Sequence, residues 1–163
     1  MKHLPTKLSC LAQLLVVFLS LGLSNVFAQT RQEHVHQMAP RVMPFDMSKT
    51  EHIFEMTQTG GVLRVIARDP GAADQVALIR EHLQREAEKF QKGDFGDPAS
   101  LHGGNMPGLK DLQAGAARIK TTYAELPSGA EITFLTPDLQ LLTALHRWFG
   151  AQLSEHGSDA RAE

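Results

Sequence analysis

The sequence contains a single cysteine, Cys10, and that residue lies inside an apparent export signal. A chain that loses this segment has no thiol, which excludes an internal disulfide and cysteine catalysis. We therefore expect the fold to be stabilised by packing, with a contribution from any bound ion. The full chain also has eight histidines and six methionines. Imidazole and thioether groups bind copper, and imidazole also binds zinc, so this composition favours copper or zinc as a cofactor.

Several catalytic and binding motifs are absent. The chain has no G-x-S-x-G elbow, no H-E-x-x-H pair, and no G-K-[ST] sequence after Gly103-Gly104. Its formal net charge is −2, without a clustered basic segment, which argues against a nucleic-acid or anionic-membrane partner. Glu81, Glu86 and Glu88 lie among basic residues and are interpreted as the solvated side of a helix. These features favour a protein that is not an enzyme.

Residues 1–28 have the organisation of a signal peptide. Lysines give a cationic start, an apolar run follows from Leu8 to Leu23, and small residues precede the polar Gln29. The apolar run is shorter than the stretch of about 20 residues that spans a bilayer as a helix. We expect cleavage after Ala28, a periplasmic or secreted location, and no stable membrane span after processing.

Residues 29–48 show no apolar period and contain two prolines, which predicts a flexible N-terminal arm. The arm carries His34, His36 and Met38 at alternate positions. These side chains are acceptable copper ligands, so the arm is a candidate auxiliary metal collector. The alternative is a polar linker whose histidines have no metal role.

A period of two begins at Thr50 and is interrupted by Gly60-Gly61, which predicts a β-hairpin. Apolar residues at three- and four-residue spacing then predict an amphipathic helix over residues 72–92. Residues 94–116 are rich in glycine and proline and indicate a long linking loop with one short helical turn, from Leu109 to Leu112.

The same pattern then repeats, with a second predicted hairpin after Ile119 and a second helix that begins near Pro137-Asp138. The order strand-strand-helix, twice, predicts one α+β domain over residues 49–156, with an antiparallel sheet of two hairpins packed on two helices. Residues 157–163 are predicted to form a disordered C-terminal tail.

The predicted helices place His82 and His146 at the edge of their apolar stripes, each four residues after a leucine. Facing helices are a common frame for a metal site, and the linking loop offers His102 and Met106 as further ligands. We therefore predict a metal site of His82, His102, His146 and Met106, which weakens below the free imidazole pKa of about 6.5. The alternative for each histidine is a hydrogen-bonded packing role. Two other histidine candidates are His52 and His156, and Trp148 is a further candidate.

Most of the chain after the signal carries short segments that resemble a group of small exported bacterial proteins, some of which are labelled aspartate carbamoyltransferase. These segments are Met43-Pro44-Phe45-Asp46, His52-Ile53-Phe54, Gly93-Asp94-Phe95-Gly96-Asp97-Pro98, Leu101-His102-Gly103, Met106-Pro107-Gly108-Leu109, Leu145-His146 and Trp148-Phe149. The S-T-R-T-R carbamoyl-phosphate loop of that enzyme is absent, and the chain is too short for its two domains. The resemblance therefore implies a compact exported module and not that activity.

Three functions follow from these features. The first is an exported metal-binding protein whose partner is a metal ion. The second is an interaction module that docks on an envelope protein through the open face of its sheet or through the glycine- and proline-rich loop. An exposed Trp148 beside Tyr123 or Phe95 would favour it. The third is a small-molecule enzyme with His102 or His146 as general base, which requires a deep pocket with a nearby carboxylate.

Overall fold

The structure is a computed structural model that describes residues 31–163. The signal peptide predicted for residues 1–28 lies outside the described residues. The strands are β1 (Thr50–Thr57), β2 (Gly60–Ala67), β3 (Lys120–Leu126), β4 (Gly129–Leu135) and β5 (Ala160–Ala162). The helices are α1 (residues 31–38), α2 (Ala73–Gln91), α3 (Gly96–His102), α4 (Leu109–Gly115) and α5 (Leu139–His156). None of these helices is long and apolar enough to cross a membrane.

The fold belongs to the α+β class, as predicted, with a five-stranded mixed sheet in the order β3-β4-β2-β1-β5. The prediction of a purely antiparallel sheet is wrong at one edge, because β5 pairs in parallel with β1. The tail expected to be disordered at residues 157–163 forms this strand after a 3-10 turn, Gly157–Asp159. Gly157 has φ +57°, a conformation that glycine adopts readily, and it reverses the chain after α5.

The core lies between one face of the sheet and the helices α2 and α5. Alternate strand residues such as Phe54, Val65 and Ile132 are buried against it because side chains along a strand alternate between faces. Helix α5 contributes Trp148 and Phe149, both fully buried. Its N-terminus is capped by the Asp138 carboxylate, which accepts hydrogen bonds from two backbone N–H groups of the first turn. The sheet and these two helices thus share a single apolar core.

The opposite face of the sheet carries an ion-pair network centred on Arg64. Its guanidinium contacts the carboxylates of Glu131 at 3.0 Å, Glu55 at 2.9 Å and Glu163 at 2.6 Å. These carboxylates come from β4, β1 and the chain segment after β5, so one arginine on β2 ties the strands together. Beneath it, Ile53 is buried on the same face.

The linking segment differs from its prediction. Residues 94–116 were expected to form a loop with one short turn, but they contain the two helices α3 and α4. Buried Leu101 and Leu112 anchor these helices to the core, a contribution that local glycine and proline content does not reveal. Gly103 and Gly108 have φ +92° and +81° and separate the two helices. A Cβ on Gly108 would lie 2.0 Å from the backbone oxygen of Ala144, so the chain there passes directly against α5.

The N-terminal segment is also structured from residue 31 onward, whereas residues 29–48 were predicted to be a flexible arm. Val35, Ala39 and Met43 recur every four residues and are all buried in the core. This spacing places them on one side of α1 and the following 3-10 turn, Ala39–Arg41. Arg31 also contacts Glu155 of α5 at 2.6 Å. The segment therefore packs on the end of α5 as part of the domain.

Candidate functional site

Four histidines line one cavity of about 50 Å³, which we call the imidazole cavity. They come from separate elements: His52 from β1, His82 from α2, His102 from the end of α3 and His156 from the end of α5. The other lining residues that bear polar or sulfur atoms are Met43, Glu86, Asp97, Trp148 and Gln152. The remaining walls are aliphatic and aromatic side chains of the core.

Local structure explains why each ring points inward. His52 shares the inner face of β1 with Phe54, two residues away. His156 is the last residue of α5 and is only 2% exposed, because β5 and the N-terminal segment cover the helix end. The side chain of His102 is 1% exposed where α3 ends against α5. The fold thus places three imidazoles from distant parts of the chain side by side.

The rings of His52 and His156 are stacked, and the ring of His102 lies tilted against His156. The centroids of His52 and His156 are 4.6 Å apart with an interplanar angle of 26°, and those of His102 and His156 are 5.0 Å apart at 59°. His82 is set apart and packs edge-on against Phe45 at 5.6 Å. We refer to His52, His102 and His156 as the imidazole stack.

Each ring of the stack has a buried nitrogen without a hydrogen-bond partner among residues 31–163. These atoms are His52 Nδ1, His102 Nε2 and His156 Nδ1. Two further lining residues, Trp148 and Gln152, also have a buried side-chain nitrogen without a partner among the described residues. A buried polar atom without a partner costs about 1–3 kcal/mol, so a cluster of them at one cavity is a substantial penalty that a polar guest would relieve.

His102 is oriented by a carboxylate. Its Nδ1 lies 2.8 Å from Glu155 Oε2, and Glu155 Oε1 accepts a hydrogen bond from Arg31 at 2.6 Å. In neutral His102 the Nδ1–H donates to the carboxylate, and Nε2 keeps its lone pair toward the cavity. Burial raises the pKa of Glu155, but the hydrogen bonds from His102 and Arg31 outweigh burial and lower it. A carboxylate that fixes an imidazole in this way is typical of metal-ligating and general-base histidines.

Burial holds His52, His82 and His156 neutral. Burial lowers the pKa of His52 to about 3, with a further contribution from His82 and His102. Burial also lowers the pKa of His82 to about 4 and brings that of His156 well below its ordinary value. At neutral pH these rings therefore carry lone pairs and no charge, which is the protonation state that metal ligation needs.

An acidic pair stands where the cavity approaches the surface. Lys89 Nζ lies 3.0 Å from Glu86 Oε1 and 2.5 Å from Asp97 Oδ2. Burial, followed by the contact with Asp97, raises the pKa of Glu86 to about 7. Our interpretation of Glu86 as a solvated residue is wrong, since it is 5% exposed. The signal was present in the sequence: Glu86 follows Leu83 by three residues and therefore continues the buried stripe of α2.

The structure brings together part of the predicted metal set. His82 and His102 both line the imidazole cavity. His146 does not line it: its Nε2 donates to the backbone oxygen of Gly60 at 2.8 Å, the packing role stated above as the alternative. Met106 is buried in the core outside the cavity lining. The two further candidates, His52 and His156, are both at the cavity.

The histidines of the N-terminal segment lie apart from the cavity. His34 is exposed, and His36 Nε2 contacts Asp159 Oδ2 at 2.6 Å. Met38 is half-buried and packs against the core. Across residues 31–163, no group of three or more His, Cys, Asp or Glu side chains is arranged to hold a metal ion. In the imidazole stack, the rings lie against one another and do not aim at one point.

Trp148 was expected to be exposed in an interaction module. It is fully buried, and its ring meets Phe90, Phe95 and Phe134 edge-on at centroid distances of 5.5–6.0 Å. It therefore gives no support to a docking surface. Comparison of the chain with protein-family models, with curated proteins and with solved structures finds no match, so the site has to be interpreted from its own geometry.

Proposed function

We propose that this protein binds one copper or zinc ion in the imidazole cavity, with His52, His102 and His156 as ligands and His82 beside them. The observation that carries the proposal is the set of three unpartnered ring nitrogens on one cavity, one of them on a histidine oriented by Glu155. This set keeps His82 and His102 at the predicted site and replaces His146 and Met106, which lie outside the cavity lining.

The size of the cavity favours a small guest. Its volume of about 50 Å³ is far below the roughly 300–1,000 Å³ typical of small-molecule sites. The His102–Glu155 pair would also suit a general base, and that contact is what favours an enzyme as the second candidate. A cavity this small has no room for a substrate beside the base, so a single ion is the better guest.

Metal binding requires the stacked rings to turn. Holding a side chain about 30° away from its preferred rotamer costs about 0.5–1.5 kcal/mol, and two rings of the stack would have to reorient. Binding would satisfy ring nitrogens that otherwise have no partner among the described residues. The stacked arrangement is therefore compatible with an ion that draws the rings together.

The proposal includes export, on the strength of the signal-like residues 1–28. An exported chain without a thiol would bind its metal through nitrogen and thioether sulfur. An envelope protein as partner is the alternative to a metal ion, and metal titration separates the two.

The test is a metal titration of the exported protein, purified without an affinity tag and challenged with copper(I), copper(II) and zinc(II). Trp148 is the only tryptophan and lines the cavity, so its fluorescence reports binding at this place. We expect one tightly bound equivalent and a change in Trp148 emission. His102→Gln and His156→Gln should each weaken binding at least 100-fold, because each removes one of three ligands.

Two control variants show whether a loss of binding is specific to the cavity histidines. His34→Gln alters an exposed histidine of the N-terminal segment, and His146→Gln alters a half-buried histidine outside the cavity. Both should retain the affinity of the parent protein. Loss of binding in His34→Gln or His146→Gln, with full binding in His102→Gln, would show that the metal lies elsewhere. No bound equivalent in the parent protein would reject the proposal and point to the envelope-partner alternative.

A further inference from the structure

We infer that the metal-free imidazole cavity binds a small neutral carbonyl compound, whose oxygen accepts hydrogen bonds from Trp148 and Gln152. The inference goes beyond the proposed metal site and does not depend on it. It follows from two nitrogens on the α5 wall of the cavity, from the size of the space and from the charges that line it.

The face of α5 that borders the cavity is a row of polar groups. Trp148, Gln152 and His156 follow one another at intervals of four residues along this helix. Side chains at this spacing lie on the same face, one turn apart. All three residues line the cavity, and none is more than 6% exposed. Within residues 31–163, each has a buried side-chain nitrogen without a hydrogen-bond partner.

Two nitrogens of this row can only donate. The indole N–H of Trp148 has no lone pair to offer, and the amide nitrogen of Gln152 carries two hydrogens. Neither group titrates, so this property does not change with pH or with the protonation of the histidines. A metal cation cannot accept a hydrogen bond, and an ion on the imidazoles would therefore leave both donors without a partner. The guest that satisfies them must carry an acceptor.

The cavity is the place where this acceptor fits. Around Trp148, the rings of Phe90, Phe95 and Phe134 pack at centroid distances of 5.5–6.0 Å, and none of them offers a lone pair. A carbonyl oxygen has two lone pairs. One such oxygen at the α5 wall would therefore satisfy Trp148 and Gln152 together.

The size of the cavity limits the guest to a few atoms. Its volume is about 50 Å³. One water molecule needs roughly 10–15 Å³ of such space, so the cavity has room for about four heavy atoms. Leu63, Val65 and Ile132 form apolar parts of the wall, and these suit methyl groups better than a cluster of water molecules. Acetone and acetamide have this size and combine a carbonyl oxygen with methyl groups or a methyl group.

The charges of the lining favour a neutral guest. Glu86 and Asp97 are both acidic, and no lysine or arginine of the described residues lines the cavity. Lys89 contacts these two carboxylates, and Arg31 contacts Glu155. A carboxylate guest would therefore be buried without a cation to balance its charge, which is costly.

The test compares three probes of nearly equal size on the exported protein, freed of metal with a chelator. Acetone and acetamide are neutral carbonyl compounds, and acetate has the same shape with a negative charge. Trp148 is the only tryptophan, so its indole N–H gives a single resonance in the NMR spectrum. We expect acetone and acetamide to move this resonance downfield in a saturable way, and to bind about 10-fold or more tightly than acetate.

Gln152→Met removes one donor and keeps the length of the side chain. It should weaken acetone binding about 5-fold or more, because one hydrogen bond to the oxygen is lost. Gln140→Met is the matched control, since Gln140 is exposed in the first turn of the same helix and should not affect the cavity. The dispersion of the Trp148 resonance shows that each variant is folded.

Three outcomes would overturn this inference. They are equal acetone affinity in Gln152→Met and Gln140→Met, acetate binding as tight as that of acetone, and a Trp148 resonance that no probe moves because ordered water alone occupies the cavity. None of these outcomes bears on the metal titration, which is made without the probes.

Discussion

Replacement of Glu86 by glutamine should stabilise the protein at alkaline pH and leave it unchanged in acid. Glu86 is buried beside Asp97, and its pKa is raised to about 7 from an ordinary value of 4.5. Below pH 4.5 the carboxyl is protonated in both the folded and the unfolded chain. Between pH 4.5 and pH 7 the folded state binds more protons, so this group lowers the stability as the pH rises, and above pH 7 the full cost is present.

The size of the effect follows from the shift. One pKa unit corresponds to about 1.4 kcal/mol, so a shift from 4.5 to about 7 corresponds to about 3 kcal/mol. Glutamine has nearly the shape of the protonated carboxyl and keeps an N–H to donate toward Asp97. The free energy of unfolding of Glu86→Gln should therefore equal that of the parent near pH 4.5 and exceed it by about 3 kcal/mol at pH 8.5.

Urea unfolding at these two pH values measures the difference directly, without added metal. Histidine titration contributes equally to both proteins and cancels from the comparison. Glu88→Gln is the control, since Glu88 is exposed on the same helix and its replacement should change stability little at either pH. A Glu86→Gln difference that does not grow between the two pH values would refute the assignment of a protonated, buried Glu86.

Three further outcomes can be measured on the same protein. His52→Phe should lose less stability than the parent as the pH falls from 6.5 to 4.5. Burial lowers the pKa of His52 to about 3 in the folded state, so the parent loses about 2–3 kcal/mol of unfolding free energy through this residue over that range. Urea unfolding at both pH values measures the difference. Gly108→Ala should lower the free energy of unfolding by more than about 2 kcal/mol, as measured by thermal unfolding, because Gly108 has φ +81° and the new Cβ would clash with the backbone of α5. Gly104→Ala, which has open space around it, should leave the stability nearly unchanged. Asp138→Ala should cost about 1 kcal/mol in urea unfolding through loss of the α5 cap.

Periodicity in the sequence was enough to predict the α+β class. The alternation from Thr50 and the three- and four-residue spacing of apolar residues in 72–92 reflect which side of each element is buried. The strand β5 could not be predicted in this way. It has three residues, and its pairing with β1 depends on the turn at Gly157 and on contacts with distant parts of the chain.

In the candidate site, too, local sequence patterns predicted some residues, and contacts between distant parts of the chain determined the others. His102 and His82 were selected from their positions in the sequence and lie at the cavity. The stacking of His156 on His52 depends on how the end of α5 meets β1, which no local pattern reports. His146 occupies a position in its helix similar to that of His82, yet its ring reaches a backbone oxygen of β2. Equivalent spacing therefore did not produce an equivalent environment.

The closure of the imidazole cavity by the two ends of the described chain has a consequence for biogenesis. Arg31 and Glu155 are joined across 124 positions of sequence, and β5 pairs with the strand that carries His52. Synthesis from the N-terminus delivers His156 and β5 after every other part of the cavity wall. A chain clipped before residue 156 keeps three of the four cavity histidines but loses the ring that contacts both His52 and His102. If the cavity binds a metal as proposed, its affinity would report whether residues 31–163 are intact and folded.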